Sequence, residues 1–404
     1  MSVRERLDEI REIGRDELRG GYSRHLFDQA EVQLRDWFRS SAEKVGLSTE
    51  VDGNGNLWAW WGSPGPGTIA TGSHLDSVPG GGTYDGPLGI ASAFEAVALL
   101  QAQGWVPSRP VAICAFAEEE GSRFGMPCLG SRLLVGEIDP QAALVRSDSD
   151  GTTLESAWRR EELDVSRLGA DPKRLAWLSA FVELHVEQGL DLEQRGLPLA
   201  VASAILSHGR WRVSIHGEGN HAGTTPMRDR RDPVVAASAA VLAVRRVALE
   251  GESAARATVG RLAVTPNGTN VVASRVDAWL DIRGASDQDV RDQLAATLKL
   301  IGECVAAEGC SLDVNEESFS PLVTFHDELT SRVAHILGGV PSIPTGAGHD
   351  AGILAPHLPS AMIFVRNPTG VSHSPGETAR HVDCETGARG LAEVLKRLAG
   401  EETS

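Results

Sequence analysis

Residues 69–100 constrain this chain more than any other stretch. Ile69-Ala70-Thr71 reads as the end of a short buried strand, and Pro87 to Leu100 as a helix rich in Ala and Leu, with proline tolerated at its first position. Between them run Gly72-Ser73-His74-Leu75-Asp76 and then Pro79-Gly80-Gly81-Gly82-Thr83-Tyr84-Asp85-Gly86. A strand, a glycine-rich loop and a helix make an α/β unit, and open α/β sheets receive ligands at the carboxyl edge of their strands. The loop offers an imidazole and two carboxylates, the donors that a borderline ion such as zinc prefers.

The same pattern recurs along the chain. Arg109 to Ala117 is a continuous apolar run that stops on Glu118-Glu119-Glu120. Phe181-Val182-Glu183-Leu184-His185-Val186-Glu187-Gln188-Gly189 alternates like a strand and ends in His, Glu and Gly, and Val371-Ser372-His373-Ser374-Pro375-Gly376-Glu377 is a second loop of this kind. His74, Asp85, Glu119 with Glu120, His185 and His373 are therefore the candidate ligands. If these ends converge on one sheet edge, they make a site for two divalent ions sharing Asp85. Ions held about 3.5–4 Å apart bring water to hydroxide near neutral pH. Glu119 and Glu120 are neighbours on extended chain, so their side chains diverge: one can bind metal while the other moves protons.

At 404 residues the chain is long enough for two domains. Helical periodicity covers 2–18 and 26–46, and Asp52-Gly53-Asn54-Gly55-Asn56 is a turn between strands near 48–52 and 56–61. From Ser207 the texture changes. A strand at 211–216, a helix at 232–249, strands at 257–264 and 271–282, a helix at 287–308 and a strand near 311–315 give the β-α-β-β-α-β order of a ferredoxin-like unit. A helix at 328–337, a strand at 361–365 and a helix at 385–398 then restore the α/β texture. The expected fold is thus α/β, with a discontinuous catalytic domain at 1–206 and 321–404. Its mixed, largely parallel sheet is flanked by helices, and an α+β domain is inserted at 207–320.

Thirty-eight basic residues against 55 acidic ones give a net charge of -17, which argues against nucleic acid or an anionic membrane as partner. Five scattered cysteines with no CxxC pair make no disulfide framework. The N-terminus opens on charged Arg4, Glu5 and Arg6, and no window reaches the ~18 apolar residues of a spanning helix, so a cytoplasmic location is expected. Nucleotide binding is disfavoured. The 80–85 loop has an acid where the fingerprint needs a small residue, and Gly346-Ala347-Gly348-His349-Asp350-Ala351 follows no expected strand. A GxSxG nucleophile elbow is absent.

GSHLDSVPGGGTYDGPLGI (72–90), FAEEEGSRFG (116–125), ELHVEQG (183–189), GEGNHAGTTPMRDRRD (217–232), GAGHDA (346–351) and SHSPGE (372–377) together make the chain similar to the M20-type metallohydrolases. The resemblance is to the amidase branch of N-carbamoyl-L-amino acid hydrolases, allantoate amidohydrolases and β-ureidopropionases. It implies two divalent ions (Zn2+, Mn2+ or Co2+) on His74, Asp85, Glu120, His185 and His373, with Asp85 bridging. Glu119 would be the general base and Asp76 would orient His74. The inserted domain would be a lid that also forms a homodimer, and His221 would polarise the scissile carbonyl across subunits. Asn270 and Arg283 would hold the carboxylate of a small ureido or amide substrate, and Gln188 would line the pocket. A cis peptide after Asp85 is also implied. Within the branch, N-carbamoyl-L-amino acids are the leading substrates. Allantoate amidohydrolase, then β-ureidopropionase, are the nearest rivals, with a peptidase, a deacylase or a non-catalytic binding paralogue further off. His208 stands where the branch commonly has glutamine, which bears on specificity.

Overall fold

The computed structural model describes residues 1–251 and 255–400. The chain divides into two compact units: a body of residues 1–204 and 324–404, and an inserted unit of residues 205–323.

The body is a mixed α/β fold around one large sheet. Four central strands, in the spatial order Val111–Phe116, Thr68–His74, Leu178–Val186 and Ser360–Val365, run parallel. Leu57–Trp61 joins antiparallel at one side and Leu199–Ile205 at the other. The central strands are apolar because both faces are covered: every residue of Val111–Phe116 and of Ser360–Val365 is buried. One face packs against the helices Pro87–Ala102 and His381–Ala399 and the short helix Val3–Glu9, around Leu88, Phe94, Val97, Leu391 and Leu395. Pro87–Ala102 is buried almost all round, which accounts for its uniformly apolar sequence.

Asp52 accepts from the Asn54 and Asn56 backbone N–H groups, from Asn56 Nδ2 and from Trp58 Nε1, so the turn forms around one buried carboxylate. Asn56 then donates from Nδ2 to the Gly130 carbonyl and accepts at Oδ1 from the Ala117 N–H. The hairpin thereby braces the segment that opens into the acidic triplet.

Some expectations need revision. The first helix ends at Glu9 rather than near 18, because Gly14 takes φ +72° and Asp16 caps a loop through the Leu18 and Arg19 N–H groups. The strand expected at 271–282 is two pieces. Val271–Val272 pairs with Asn220–His221, and Arg275–Gly284 forms the long ladder. The peptide after Asp85 is not cis: the only cis bond among the described residues is Thr265–Pro266. Gly86 at φ +83° makes the reversal there instead.

The inserted unit has the order strand, helix, two strands, helix, strand. Its four antiparallel strands lie in the spatial order fourth, first, third, second, the split βαβ arrangement. Arg275–Gly284 alternates half-buried and buried without a break. Val276, Leu280 and Ile282 share one core with Ala236 and Val244 of helix Pro233–Glu250 and Val290 and Ile301 of helix Asp287–Ala307.

Candidate metal and catalytic site

Parallel strands put their carboxyl ends on one edge, and in the body that edge collects the ionisable residues. His74 is the last residue of one central strand, and Glu119 and Glu120 follow the next. His185 is near the end of the third, and His373 lies in the loop after the fourth. Asp85 comes from the glycine-rich loop and sits among them. Its Oδ1 is 3.5 Å from His74 Nε2 and 3.2 Å from His185 Nε2, and its Oδ2 is 3.4 Å from His373 Nε2. His373 Nε2 is also 3.4 Å from Glu120 Oε2. Of three groups of metal-type donors among the described residues, His74–Asp85–His185 and Asp85–Glu120–His373 share Asp85, and the third is Glu183–His185–His349.

Local geometry directs the two glutamates apart. Glu118 is a non-glycine residue at φ +55°, a strained turn of the kind found at functional sites. Its Oε1 accepts from the Arg123 and Phe124 N–H groups, and burial together with Asp76 pushes it up to about 8. Beyond it, Glu119 Oε2 lies 3.8 Å from His74 Nε2 and Glu119 Oε1 accepts from Cys128 Sγ at 3.5 Å, while Glu120 turns to His373. Asp76 reaches both: its carboxylate accepts from the Glu119 N–H at 3.2 Å and the Glu120 N–H at 3.0 Å. His74 Nδ1 is bonded at 3.0 Å to the Asp76 backbone carbonyl, with the carboxylate at 3.6 Å. His185 Nδ1 is likewise held, by the Val186 carbonyl at 2.9 Å. Both imidazoles thus aim Nε2 into the site, the usual arrangement for a histidine ligand.

Burial and mutual charge together set the protonation of this cluster. Burial would lower His74, but Glu119, Asp76 and Asp85 outweigh it and hold the imidazole well above its ordinary value. Burial would raise Asp85, but His185 and His74 outweigh it and hold the carboxyl well below. Glu119 and Glu120 are pushed well up, first by burial and then by neighbouring acids. Glu120 Oε1, His185 Nε2 and Gln188 Oε1 are buried with no hydrogen-bond partner. Orphaned nitrogen and oxygen donors facing one another fit divalent ions.

Gln188 is at the same edge, with Nε2 donating to Asp85 Oδ2 at 3.2 Å and Ser372 Oγ at 3.0 Å. His221, Asn270 and Arg283 belong to the inserted unit. There His221 pairs with Val271, and the Asn270 carbonyl accepts from the Ala222 N–H, so His221 and Asn270 are neighbours. Arg283 lies opposite His208 across the ladder, its guanidinium bonded to both oxygens of Asp281.

Sequence reasoning overlooked a layer beneath the ligands. Glu183 accepts from Ser73 Oγ and the Ala351 N–H, Asp350 accepts from Ser131 Oγ at 2.5 Å, and His349 is buried against His185 with both ring nitrogens unpartnered. The available signal was polar: an acid inside an apolar strand and the His-Asp pair of GAGHDA.

The chain belongs to peptidase family M20/M25/M40, whose profile it matches over residues 70–397. It is 36% identical to the N-carbamoyl-L-amino acid amidohydrolase of Geobacillus stearothermophilus over 98% of both chains. It is 32% identical to the allantoate amidohydrolase of Escherichia coli (strain K12), over 99% of this chain and 98% of that one. The crystal structure of a hydantoinase/carbamoylase family amidase from Burkholderia multivorans superimposes with a TM-score of 0.86 at 30% identity, covering 99% of this chain and 98% of the other.

Proposed function

We propose that the chain hydrolyses the linear amide C–N bond of the ureido group in N-carbamoyl-L-amino acids, consuming one water and releasing the amino acid, ammonia and carbon dioxide. The observation that carries this reading is the gathering of His74, Asp85, Glu120, His185 and His373 around one carboxylate, with Glu119 beside them.

In this reading those five residues would hold two divalent ions, Zn2+, Mn2+ or Co2+, Asp85 belonging to both donor groups. Bound there, the ions supply Lewis acidity, lowering the pKa of water and polarising the carbonyl. Glu119 accepts the proton of the attacking water and returns it to the departing nitrogen. Asp76 fixes the backbone of both glutamates, so it sets where that proton goes. His221 donates to the developing oxyanion, Asn270 and Arg283 hold the substrate carboxylate, and Gln188 lines the pocket.

The inserted unit, 207–320 in this reading, serves as lid and dimerisation domain. Helix Pro233–Glu250 carries Val235, Leu242 and Leu249 at seven-residue intervals, each large and exposed, beside the edge strand Arg256–Thr265; both suit a second copy of the chain. A cytoplasmic setting suits the five free cysteines. Among the described residues no helix is long and apolar enough to cross a membrane.

Ammonia release from N-carbamoyl-L-amino acids, allantoate and N-carbamoyl-β-alanine, with each of the three metals, tests the reading. Turnover of the N-carbamoyl-L-amino acids supports it. Preference for allantoate, which the 32% relatives favour, replaces the substrate and keeps the chemistry. No turnover on any of them sinks it.

A further inference from the structure

The loop that carries His373 closes on a carboxylate with no place in the reaction above. Glu377 is 5% exposed. Its Oε1 accepts from the Tyr84 N–H at 2.9 Å and the Asp85 N–H at 3.0 Å. Its own N–H donates to the Ser374 carbonyl at 3.1 Å, which makes 373–377 one tight turn. Gly82 lies directly under the carboxylate: a Cβ there would stand 2.2 Å from Glu377 Oε1 and 2.3 Å from its Cδ. No side chain fits at 82 while Glu377 keeps these bonds.

Two hydrogen bonds from consecutive amides to one Glu377 oxygen fix the peptide from which the Asp85 side chain projects. The same turn holds His373, whose Nε2 stands 3.4 Å from Asp85 Oδ2. We propose that Glu377 is a positioning residue for the metal centre: it ties the Asp85 loop to the His373 turn and so sets the span of the Asp85–Glu120–His373 group. The inference rests on the two-ion reading above. Nothing else hydrogen-bonded to the Tyr84 and Asp85 amides among the described residues could replace the carboxylate. The other group is less dependent on it, because His74 and His185 are strand residues with Nδ1 fixed by backbone carbonyls.

The test is metal binding by the full-length apoprotein, titrated with Mn2+ or Zn2+ against a chromophoric chelator, with no activity measurement required. Wild type takes two ions per chain. Glu377→Ala loses about 10–100-fold in affinity for one ion, the usual cost of removing a group that orients ligands, and changes less for the other. Glu377→Gln, isosteric and still able to offer an oxygen to both amides, recovers part of the loss and guards against misfolding. Gly82→Ala shows the same one-ion defect, and Gly82→Ala with Glu377→Gly is no worse than Glu377→Gly alone, since that change removes every clashing atom, including the 377 Cβ that would stand 2.6 Å away. Wild-type affinities for both ions in Glu377→Ala, or additive losses in the double variant, overturn the role of Glu377 alone. A wild type that takes up no divalent ion overturns the two-ion reading with it.

Discussion

The unpaired buried acids of the body and the ladder acids of the inserted unit are handled in opposite ways. In the body, Asp52, Glu183 and Asp350 are buried with no ion-pair partner among the described residues, and burial leads the causes that push all three above the ordinary carboxylate range. In the inserted unit burial works against Asp277 and Asp281, yet Arg275 with Ser214, and Arg283 with Arg210, outweigh it and pull both below that range. The first arrangement is costly and cation-seeking; the second is self-neutralised. Buried acids without paired bases mark where a ligand of opposite charge is expected, which is why the body, rather than the more basic ladder of the inserted unit, carries the metal-type site.

The largest effect that sharpens this contrast is chemical. On the proposed roles, Glu119→Gln lowers turnover by about 10²–10⁴-fold while two ions stay bound, since the general base would be removed and no ligand would be. Loss of metal instead would show that Glu119 and Glu120 have exchanged roles. Next is a buried ion pair of the body: Arg6 Nε stands 3.0 Å from Glu95 Oε2 with both side chains almost fully covered. Glu95→Ala leaves a buried guanidinium unpaired and costs about 3–5 kcal/mol of stability, read by denaturant unfolding. A saturating ion at about a hundredfold excess over its Kd adds about 2.7 kcal/mol to the body, and probes in the inserted unit do not report it. That uptake also releases protons at neutral pH, because Glu119, Glu120, His74 and His185 are all held above their ordinary values. Calorimetry in buffers of different ionisation enthalpy gives the count, and proton uptake would contradict those raised values.

The smallest effects lie in the inserted unit. Its Arg291–Glu316 pair is roughly two-fifths exposed on both sides, so Arg291→Ala changes stability by less than about 1 kcal/mol. Buried Glu31 and Asp52 of the body and ladder residues Asp277 and Asp281 of the inserted unit respond oppositely to acid. Glu31 and Asp52 have raised folded values, so their contribution is fully present below the ordinary value near 4 and is lost as pH rises toward the folded one. Asp277 and Asp281 have lowered folded values, so theirs is present above about 4 and is lost as pH falls. Region-specific fluorescence through an acid titration separates the two, and parallel slopes would break the contrast.

Legibility in the sequence follows the same division. In the inserted unit the two-residue alternation of Arg275–Gly284 and the alanine-rich face of 233–250 announce themselves, because each element buries one side only. In the body, His74, Glu119–Glu120 and His185 could be found because a polar group ending an apolar run has little reason to be there. Leu199–Ile205 and Ser342–Thr345 escaped notice because short stretches held by pairing with distant strands leave no local periodicity. Glu377 closes the motif SHSPGE with no visible task, since only folding brings its acceptor to the amides at 84 and 85.

The inserted ladder places His208 directly across from Ser320, and the Ser207 hydroxyl donates to the Ser320 carbonyl. Entry and exit of that segment are therefore next-door neighbours. A gene encoding the segment can be cut out and expressed alone, and the remaining chain can be rejoined by a linker of a few residues. Such a cassette can be exchanged between relatives as one piece, with His221, Asn270 and Arg283 travelling together on it.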